Sequence, residues 1–345
     1  MIGTGNISHS HMDGYKQLSD VEIVAACDIN QPRVEAYARQ YGIRHVFTDY
    51  HDMLQMEELD AVSVCTWNSV HAAASIAALK AGKHVLCEKP LAMTVDEAAA
   101  MEQAAKESGC ILMVGFVMRF EQKAMMLLDW VKAGHFGQIY FAKVSYLRRA
   151  GNPGGWFADR KRSGGGPLID LGVHIIDISH YLMGKPELVT VSGATFNKLG
   201  NRDNLKGVVR YSASDPASVC DVEDMAVAML RFADGSVMSV ETSYSQHISE
   251  DSFSIECFGT RGGFTYEPEL RIFSEMDNYL IDMQPRIAVD DDAASFRREI
   301  AHFIDCVAGQ ASCISPAADG VAIMQVLCAI YESAQLGREV SLRKE

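Results

Sequence analysis

Gly3-Thr4-Gly5-Asn6-Ile7-Ser8 stands almost at the start of the chain, and its reading decides how the first domain folds. The spacing matches the dinucleotide loop G-x-G-x-x-G, with Ser8 in the last glycine position. The first glycine of such a loop makes a tight turn and the second lets the backbone approach a pyrophosphate. The helix that follows presents its N-terminus to the anion. Gly3, Gly5, Asn6 and Ile7 are therefore the candidate pyrophosphate contacts. Glycine-rich turns are common, so the loop alone is a weak signal. Asp28 sharpens it by ending the β-rich run Ile23–Asp28 at the expected distance. A carboxylate there can accept both ribose hydroxyls and repels a 2′-phosphate, which favours NAD over NADP. The plainer reading of Asp28 is a strand-end turn residue, and the glycine loop at the right distance favours the ribose role. Only Met1 and Ile2 precede Gly3, whereas a central parallel strand usually runs about 5–6 residues. We expect the native chain to start upstream of Met1.

Working outward, residues 21–116 alternate short β-rich runs with helical stretches. Strands are expected at Ile23–Asp28, Ala61–Cys65, His84–Cys87 and Ile111–Val114, and helices near 31–41, 69–81 and 95–108. Strands alternating with helices of this length read as βαβ units in a parallel, doubly wound Rossmann sheet. After a helix from Gln122 to Ala133 the pattern changes. Runs at 138–148, 187–196, 222–232, 236–245, 253–258 and 263–266 read as strands, with Asp234-Gly235 a strong hairpin turn. Helices are expected near 167–183, 295–308 and 317–336. The division is thus a Rossmann domain over 1–118, its first strand truncated, and an α+β domain over 119–345 with an open, mostly antiparallel sheet.

The chain has 345 residues, 48% apolar and 22% charged, the profile of an ordinary globular protein. A formal net charge of -14 argues against a nucleic-acid partner, whose phosphates need clustered Lys and Arg, and disfavours anionic membranes. Nine cysteines lie scattered without C-x-x-C spacing, most of them in apolar runs, which suits reduced thiols in a cytoplasmic protein. No apolar stretch approaches the ~20 residues of a membrane span.

Two further stretches carry chemistry. Glu88-Lys89-Pro90 follows the apolar strand His84–Cys87, and ligands of doubly wound sheets sit beyond the carboxyl ends of strands, where Lys89 would face them. Gly164-Gly165-Gly166-Pro167-Leu168-Ile169-Asp170-Leu171-Gly172-Val173-His174 gives a tight start to a helix, with Asp170 and His174 four apart on one face. Oxidising an alcohol needs a base for the hydroxyl proton, and histidine titrates in the useful range. A carboxylate one turn away can orient the imidazole or bind a second hydroxyl. A helix N-terminal Asp and a satisfied core His would look the same. Asp177 and His180 read as structural or solvent-facing. There is no HExxH, no carboxylate triad and no G-x-S-x-G, so no metal site is expected.

Together these residues resemble the glucose–fructose oxidoreductase and inositol 2-dehydrogenase (Gfo/Idh/MocA) family along nearly the whole chain. The resemblance rests on Gly3–Ser8, Asp28, Thr66-Trp67-Asn68 with His71, the run Ala81–Pro90, and Gly164–His174. Glu223-Asp224, Phe258-Gly259-Thr260 with Arg261-Gly262, and Gly337-Arg338-Glu339-Val340 extend it. It implies an NAD-dependent oxidoreductase moving a hydride between nicotinamide and a hydroxyl or ketone of a sugar, cyclitol or related polyol. His174 would accept the proton, Lys89 would hydrogen-bond the reacting oxygen, and Asp170 would hold substrate or histidine. Thr66, Trp67, Asn68, His71 and Glu88 would line the cofactor with Lys89, and Met118, Arg119, Trp156 and Asp159 would lie near the substrate. The family often has a cis bond before the proline, here Lys89-Pro90, and pairs into homodimers or homotetramers through the second domain's sheet. Trp67 departs from the pattern, which usually has Pro there. Relatives on this fold also include NAD-dependent glycosidases and non-catalytic sensors or repressors; the latter tend to lose the Lys and His that this chain keeps.

Overall fold

Helix α1 (Asn6–Tyr15) follows directly on the glycine loop, then β1 (Ala25–Cys27) and α2 (Gln31–Tyr41). The computed structural model describes residues 1–200, 202, 204–207, 211–213, 219–288, 290–291 and 293–342. The Asn30 side chain caps α2 by accepting from the Arg33 amide, and Gly42 ends it in a left-handed conformation at φ 72°. Strands β2 (His45–Phe47), β3 (Ala61–Val64), β4 (His84–Glu88) and β5 (Leu112–Gly115) alternate with α3 (Tyr50–Met53), α4 (Asn68–Lys80) and α5 (Val95–Ser108). A reciprocal capping box between Thr94 and Glu97 starts α5.

All pairings among these strands are parallel: β1 with β2, and β3 with β4 with β5. Met1 and Ile2 stitch the two groups together. Ile2 bridges Cys27 on one side and Val64 on the other. The hydrogen bonds are Cys27 N–H to Met1 O (2.8 Å), Gly3 N–H to Cys27 O (2.8 Å), Ile2 N–H to Ser63 O (2.9 Å) and Cys65 N–H to Ile2 O (2.7 Å). These two residues deliver Gly3 to the carboxyl edge of the sheet, between β1 and β3. Ala26, Leu86 and Met113 from the strands and Met12, Val34 and Tyr37 from the helices form the core of this unit.

The second unit begins with α6 (Gln122–Lys132) and β6 (Ile139–Leu147). The one-turn α7 (Arg160–Ser163), a π-helical turn over Leu168–Gly172 and α8 (Val173–Leu182) follow. Then come β7 (Leu188–Phe196), β8 (Met225–Phe232), β9 (Val237–Ser243), β10 (Ser252–Gly259), β11 (Gly262–Glu267), β12 (Arg271–Met276) and β13 (Tyr279–Met283), with β14 (Val340–Ser341) near the end of the chain. They form a 9-stranded sheet in the order β13-β12-β11-β10-β6-β9-β8-β7-β14. The β6–β9 pair is parallel and the other pairings are antiparallel. Helix α8 packs on β6 and β10 and buries Ile175, Ile176, Ile178 and Leu182, each such side chain stabilising by about 1.5–3 kcal/mol.

Helices α9 (Ala294–Val307) and α10 (Ala317–Leu336) close the chain. By contacts, the first compact unit is Met1–Phe120 with Asp290–Met324, and the second is Glu121–Val289 with Gln325–Glu345. Residues 290–324, assigned from the sequence to the second domain, thus pack with the first. The reason is α9: Ile300 and Phe303 enter the first core, and a Cβ on Gly14 of α1 would meet Ile300 Cγ1 at 2.8 Å. Helix α10 also corrects the reading of apolar stretches. Its 20 residues are long and apolar enough to span a membrane by length and composition, and Ile323, Met324, Leu327 and Ile330 are buried as in a core helix.

Candidate functional site

In the first unit the glycine loop has the geometry its chemistry requires. Gly3 sits at φ +85°, where a Cβ would stand 2.5 Å from the Cys65 carbonyl oxygen, so only glycine fits. At Gly5, the residue before α1, a Cβ would meet nothing within 4 Å: the backbone is open to a ligand in front of the helix N-terminus. No acidic residue occupies the first turn of α1 to compete with an anion. Ser8 is buried and folds its hydroxyl back onto Gly5 O (2.7 Å), which is how a serine is accommodated at the third position. Asp28 stands at the end of β1 against the loop. Its Oδ2 accepts from the Thr4 amide and hydroxyl (2.9 Å each), and its Oδ1 accepts from the Asn30 amide (2.9 Å). Arg33 Nη1 lies 3.9 Å from the same carboxylate.

The end of β4 is built on buried histidines. Oε1 of the buried Glu88 lies 2.8 Å from His11 Nε2, and its Oε2 accepts the Lys89 amide (3.2 Å). Burial alone would raise the Glu88 pKa; the His11 hydrogen bond and charge, with Lys89 and His71, outweigh it and hold the carboxyl below its ordinary value. Lys89 is half-buried, and the Lys89-Pro90 bond is cis. His71 is fully buried, with Nδ1 2.8 Å from Pro90 O and Nε2 3.3 Å from Thr66 O. Burial lowers its pKa, against the hydrogen bonds to Pro90 and Thr66. His71 therefore ties the Pro90 turn to the Thr66 loop and has both nitrogens on backbone carbonyls. Trp67 precedes α4, and Asn68, its first residue, is buried.

In the second unit the triple glycine is explained by a carboxylate distant in sequence. Oε1 of the buried Glu223 accepts from the Gly166 amide (3.0 Å), the Leu168 amide (3.3 Å) and the Tyr331 hydroxyl (2.7 Å). Burial raises its pKa, against these hydrogen bonds. A Cβ on Gly166 would stand 2.2 Å from Glu223 O, and one on Gly165 would stand 2.0 Å from the Tyr331 hydroxyl. Asp170 lies in the π-helical turn and His174 in the first turn of α8, both half-buried. The buried Tyr244 hydroxyl donates to Asp170 Oδ2 (3.0 Å). Burial and the Asp170 charge push the Tyr244 pKa well up, so it remains a donor. Arg148, just beyond β6, belongs to the same electrostatic neighbourhood. Burial would lower its pKa, but Tyr146 and the Asp170 charge raise it.

Several residues expected near the substrate have partners within the protein. Arg119 is buried in the first unit, donating to Asp319 Oδ2 (2.5 Å) and Ile314 O (2.6 Å) above the Phe116 ring. Its guanidinium is thus engaged within the first unit. Met118 is also buried. Trp156 stacks on Phe157, and Asp159 caps α7 and pairs with Arg162 (3.2 Å). Asp177 is buried, and His180 lies 2.9 Å from Pro186 O, so neither faces solvent. His11, Arg148, Glu223 and Tyr244, to which the sequence reading gave no site role, all act on residues it did expect. His11 carried a readable signal, a polar residue on the inner face of the helix after the glycine loop. Among the described residues, His302, Cys306 and Cys313 bring three donor atoms within 4.8 Å, but His302 Nε2 accepts the Ile314 amide (3.1 Å).

A glycine loop of this geometry on a parallel sheet, followed by an open mixed sheet carrying an Asp/His helix, defines a dinucleotide-dependent oxidoreductase. The chain belongs to the Gfo/Idh/MocA oxidoreductase family: residues 1–116 match its NAD-binding Rossmann fold and residues 129–342 its C-terminal alpha/beta domain. It is 34% identical over 345 residues to D-glucoside 3-dehydrogenase of Escherichia coli, covering 99% of this chain and 96% of the relative. It is 28% identical to myo-inositol 2-dehydrogenase of Thermotoga maritima, over 76% of this chain and 72% of that one. Among solved structures, levoglucosan dehydrogenase in complex with NADH and L-sorbose superposes with a TM-score of 0.85 at 25% identity, covering 100% of this chain and 98% of that one.

Proposed function

We propose that this NAD(P)-dependent oxidoreductase oxidises a secondary hydroxyl of a sugar, cyclitol or related polyol, or reduces the matching ketone, with NAD preferred. When bound, NAD supplies the hydride acceptor. The residues present fit it, as the open backbone at Gly5 and the glycine-only turn at Gly3 indicate. Gly3, Gly5, Asn6 and Ile7 hold the pyrophosphate, and Asp28 holds the adenosine ribose. Thr66, Trp67, Asn68 and Glu88 shape the nicotinamide side, and Lys89 hydrogen-bonds the reacting oxygen and favours its developing negative charge. His174 takes the hydroxyl proton. Asp170, fixed by Tyr244, orients the substrate or the imidazole. The observation that carries the reading is the Asp28 carboxylate clamped by Thr4 against the glycine loop. A screen of polyols, cyclitols, aldoses and glycosides with NAD, following absorbance of reduced nicotinamide, tests it; no reduction across the panel by protein that binds NAD would overturn it.

The proposal extends to assembly and location. The register aligns Phe141 with Phe258, Phe258 with Gly263 and Gly263 with Phe273 on one face of the sheet. Phe258 and Phe273 are exposed, and Phe141 stacks on Phe258. Such an apolar row suits a homodimer or homotetramer formed through this face, which light scattering on the purified protein would show. Nine free cysteines suit a reducing cytoplasm.

A further inference from the structure

A cavity of ≈ 820 Å³ opens in the second unit where β6 ends and β10 begins, within the range of about 300–1,000 Å³ typical of small-molecule sites. One wall is aromatic: Tyr146 and Phe253, cross-strand partners, stack with ring centroids 4.7 Å apart. The remaining charge in the lining is strongly one-sided. Among the described residues, Arg148, Arg149, Arg202 and Lys206 contribute four cations against the single carboxylate of Asp251. In a chain of net charge -14 this is not a sample of the general surface. The Asp251 carboxylate is engaged by the Arg149 backbone amide (2.8 Å). Among the described residues no ion pair joins any of the four cations to a carboxylate.

The three arginines are held rather than loose. Arg149 Nη1 donates to Ser249 O (2.9 Å), and Arg202 Nη1 donates to Arg149 O (3.0 Å), which fixes both guanidinium groups at the rim. Arg148 Nη1 donates to Gly151 O (3.1 Å), and its Nη2 lies 3.4 Å from the Tyr146 hydroxyl, leaving part of its five-donor fork available. Arg148 also links the cavity to the expected chemistry, because its charge acts on Asp170, the carboxylate to which Tyr244 donates. Positive groups on low-dielectric walls act on a ligand over about 8–10 Å even in a protein of opposite net charge.

We propose that this cavity is the subsite for an anionic group on the substrate, a carboxylate or phosphate carried on the sugar away from the carbon that reacts. This rests on the dehydrogenase reading above and narrows its substrate class from neutral polyols to acid-bearing sugars. The cations select the anion, and the aromatic wall packs against the sugar face between it and Asp170.

The experiment uses the full chain saturated with NADH for binding and with NAD for turnover. The probes are methyl β-D-glucoside against methyl β-D-glucuronide, and D-glucose against D-glucose 6-phosphate. The expected result is an advantage of about tenfold or more for the anionic member of a pair, in affinity or kcat/KM, shrinking as salt is raised. The triple variant Arg149→Gln, Arg202→Gln, Lys206→Gln should bring that ratio to within about threefold of one, with its melting temperature recorded as the folding control. The pair showing the larger advantage tells carboxylate from phosphate. No preference for the anion, or a preference untouched in the folded triple variant, overturns the proposal. Anion-selective binding without reduction of NAD by any probe leaves the subsite standing and counts against the dehydrogenase reading instead.

Discussion

Replacing Asp28 tests the cofactor site and the packing of the loop at once. In Asp28→Ala the Thr4 amide, Thr4 hydroxyl and Asn30 amide lose an acceptor each held at 2.9 Å. Thr4 is buried, so leaving its amide unpaired costs about 1–3 kcal/mol of stability. Toward the ribose the loss is a charge-assisted hydrogen bond, about 1.5–3 kcal/mol, which raises the Kd for NAD about 10- to 150-fold. The effect on NADP has the opposite sense. The carboxylate no longer repels the 2′-phosphate, while Arg33, 3.9 Å from it in the parent, remains as a cation. The affinity gap between NAD and NADP should therefore narrow by at least about tenfold. Asp28→Asn keeps an acceptor for Thr4 and removes only the charge, so it should recover most of the stability and little of the NAD preference. Titrating both cofactors against protein fluorescence, beside thermal unfolding, reads all four quantities. An Asp28→Ala protein that is folded and binds NAD within twofold of the parent would refute the reasoning.

Gly3→Ala forces a side chain into φ +85° and against the Cys65 carbonyl at 2.5 Å, so it should cost at least about 1–3 kcal/mol and weaken NAD binding sharply; an unchanged melting temperature would contradict the packing described. Glu88→Gln removes a carboxylate whose folded-state pKa lies below its ordinary value, so the lost stabilisation is fully present above the ordinary carboxylate range and disappears as pH falls through the folded value. Denaturant midpoints should show a parent–variant gap that is steady at neutral pH and closes in acid; a gap that widens in acid would reverse the assignment. His174→Ala should lower turnover on an identified substrate by about 10²–10⁴-fold with little change in the Kd for NAD, and near-full turnover would move the proton to another group.

What the sequence revealed follows from the range over which each signal acts. The parallel alternation was legible because glycine loop, strand and helix lie within one short stretch, and α2, α4 and α5 fall where periodicity puts them. Strand β2 carried no signal, since His45 and Val46 are exposed and the strand lies at the sheet edge. The same holds for β12 and β13, where Ile272 is buried but Leu280 and Tyr279 are exposed. Their connection at Asp277-Asn278, both at positive φ, is a hairpin turn without the usual glycine. The place of α9 in the first unit could not be read locally, because the glycine that admits it lies on α1.

The helix that carries Asp170 and His174 shows the same division at the scale of single residues. Asp170 and His174 were visible as a four-residue spacing, but the spacing does not say why their side should be the polar one. The packing supplies the reason through the residue between them. Gly172 lies at the end of the π-helical turn, where a Cβ would meet Leu168 Cδ1 at 3.0 Å and Thr242 Cγ2 at 3.3 Å. The glycine thus permits a close approach of this turn to β9, and Leu171 and Val173 beside it are fully buried. With that side committed to the sheet, Asp170 and His174 are left half-buried on the other, and Tyr244, two residues along from Thr242, is placed to donate to Asp170. The pattern Asp-x-Gly-x-His is therefore one packing solution read from both sides: the small residue brings the helix down onto the strand whose extension carries the tyrosine. A π-helical turn at this point fits the tendency of such turns to occur at functional positions.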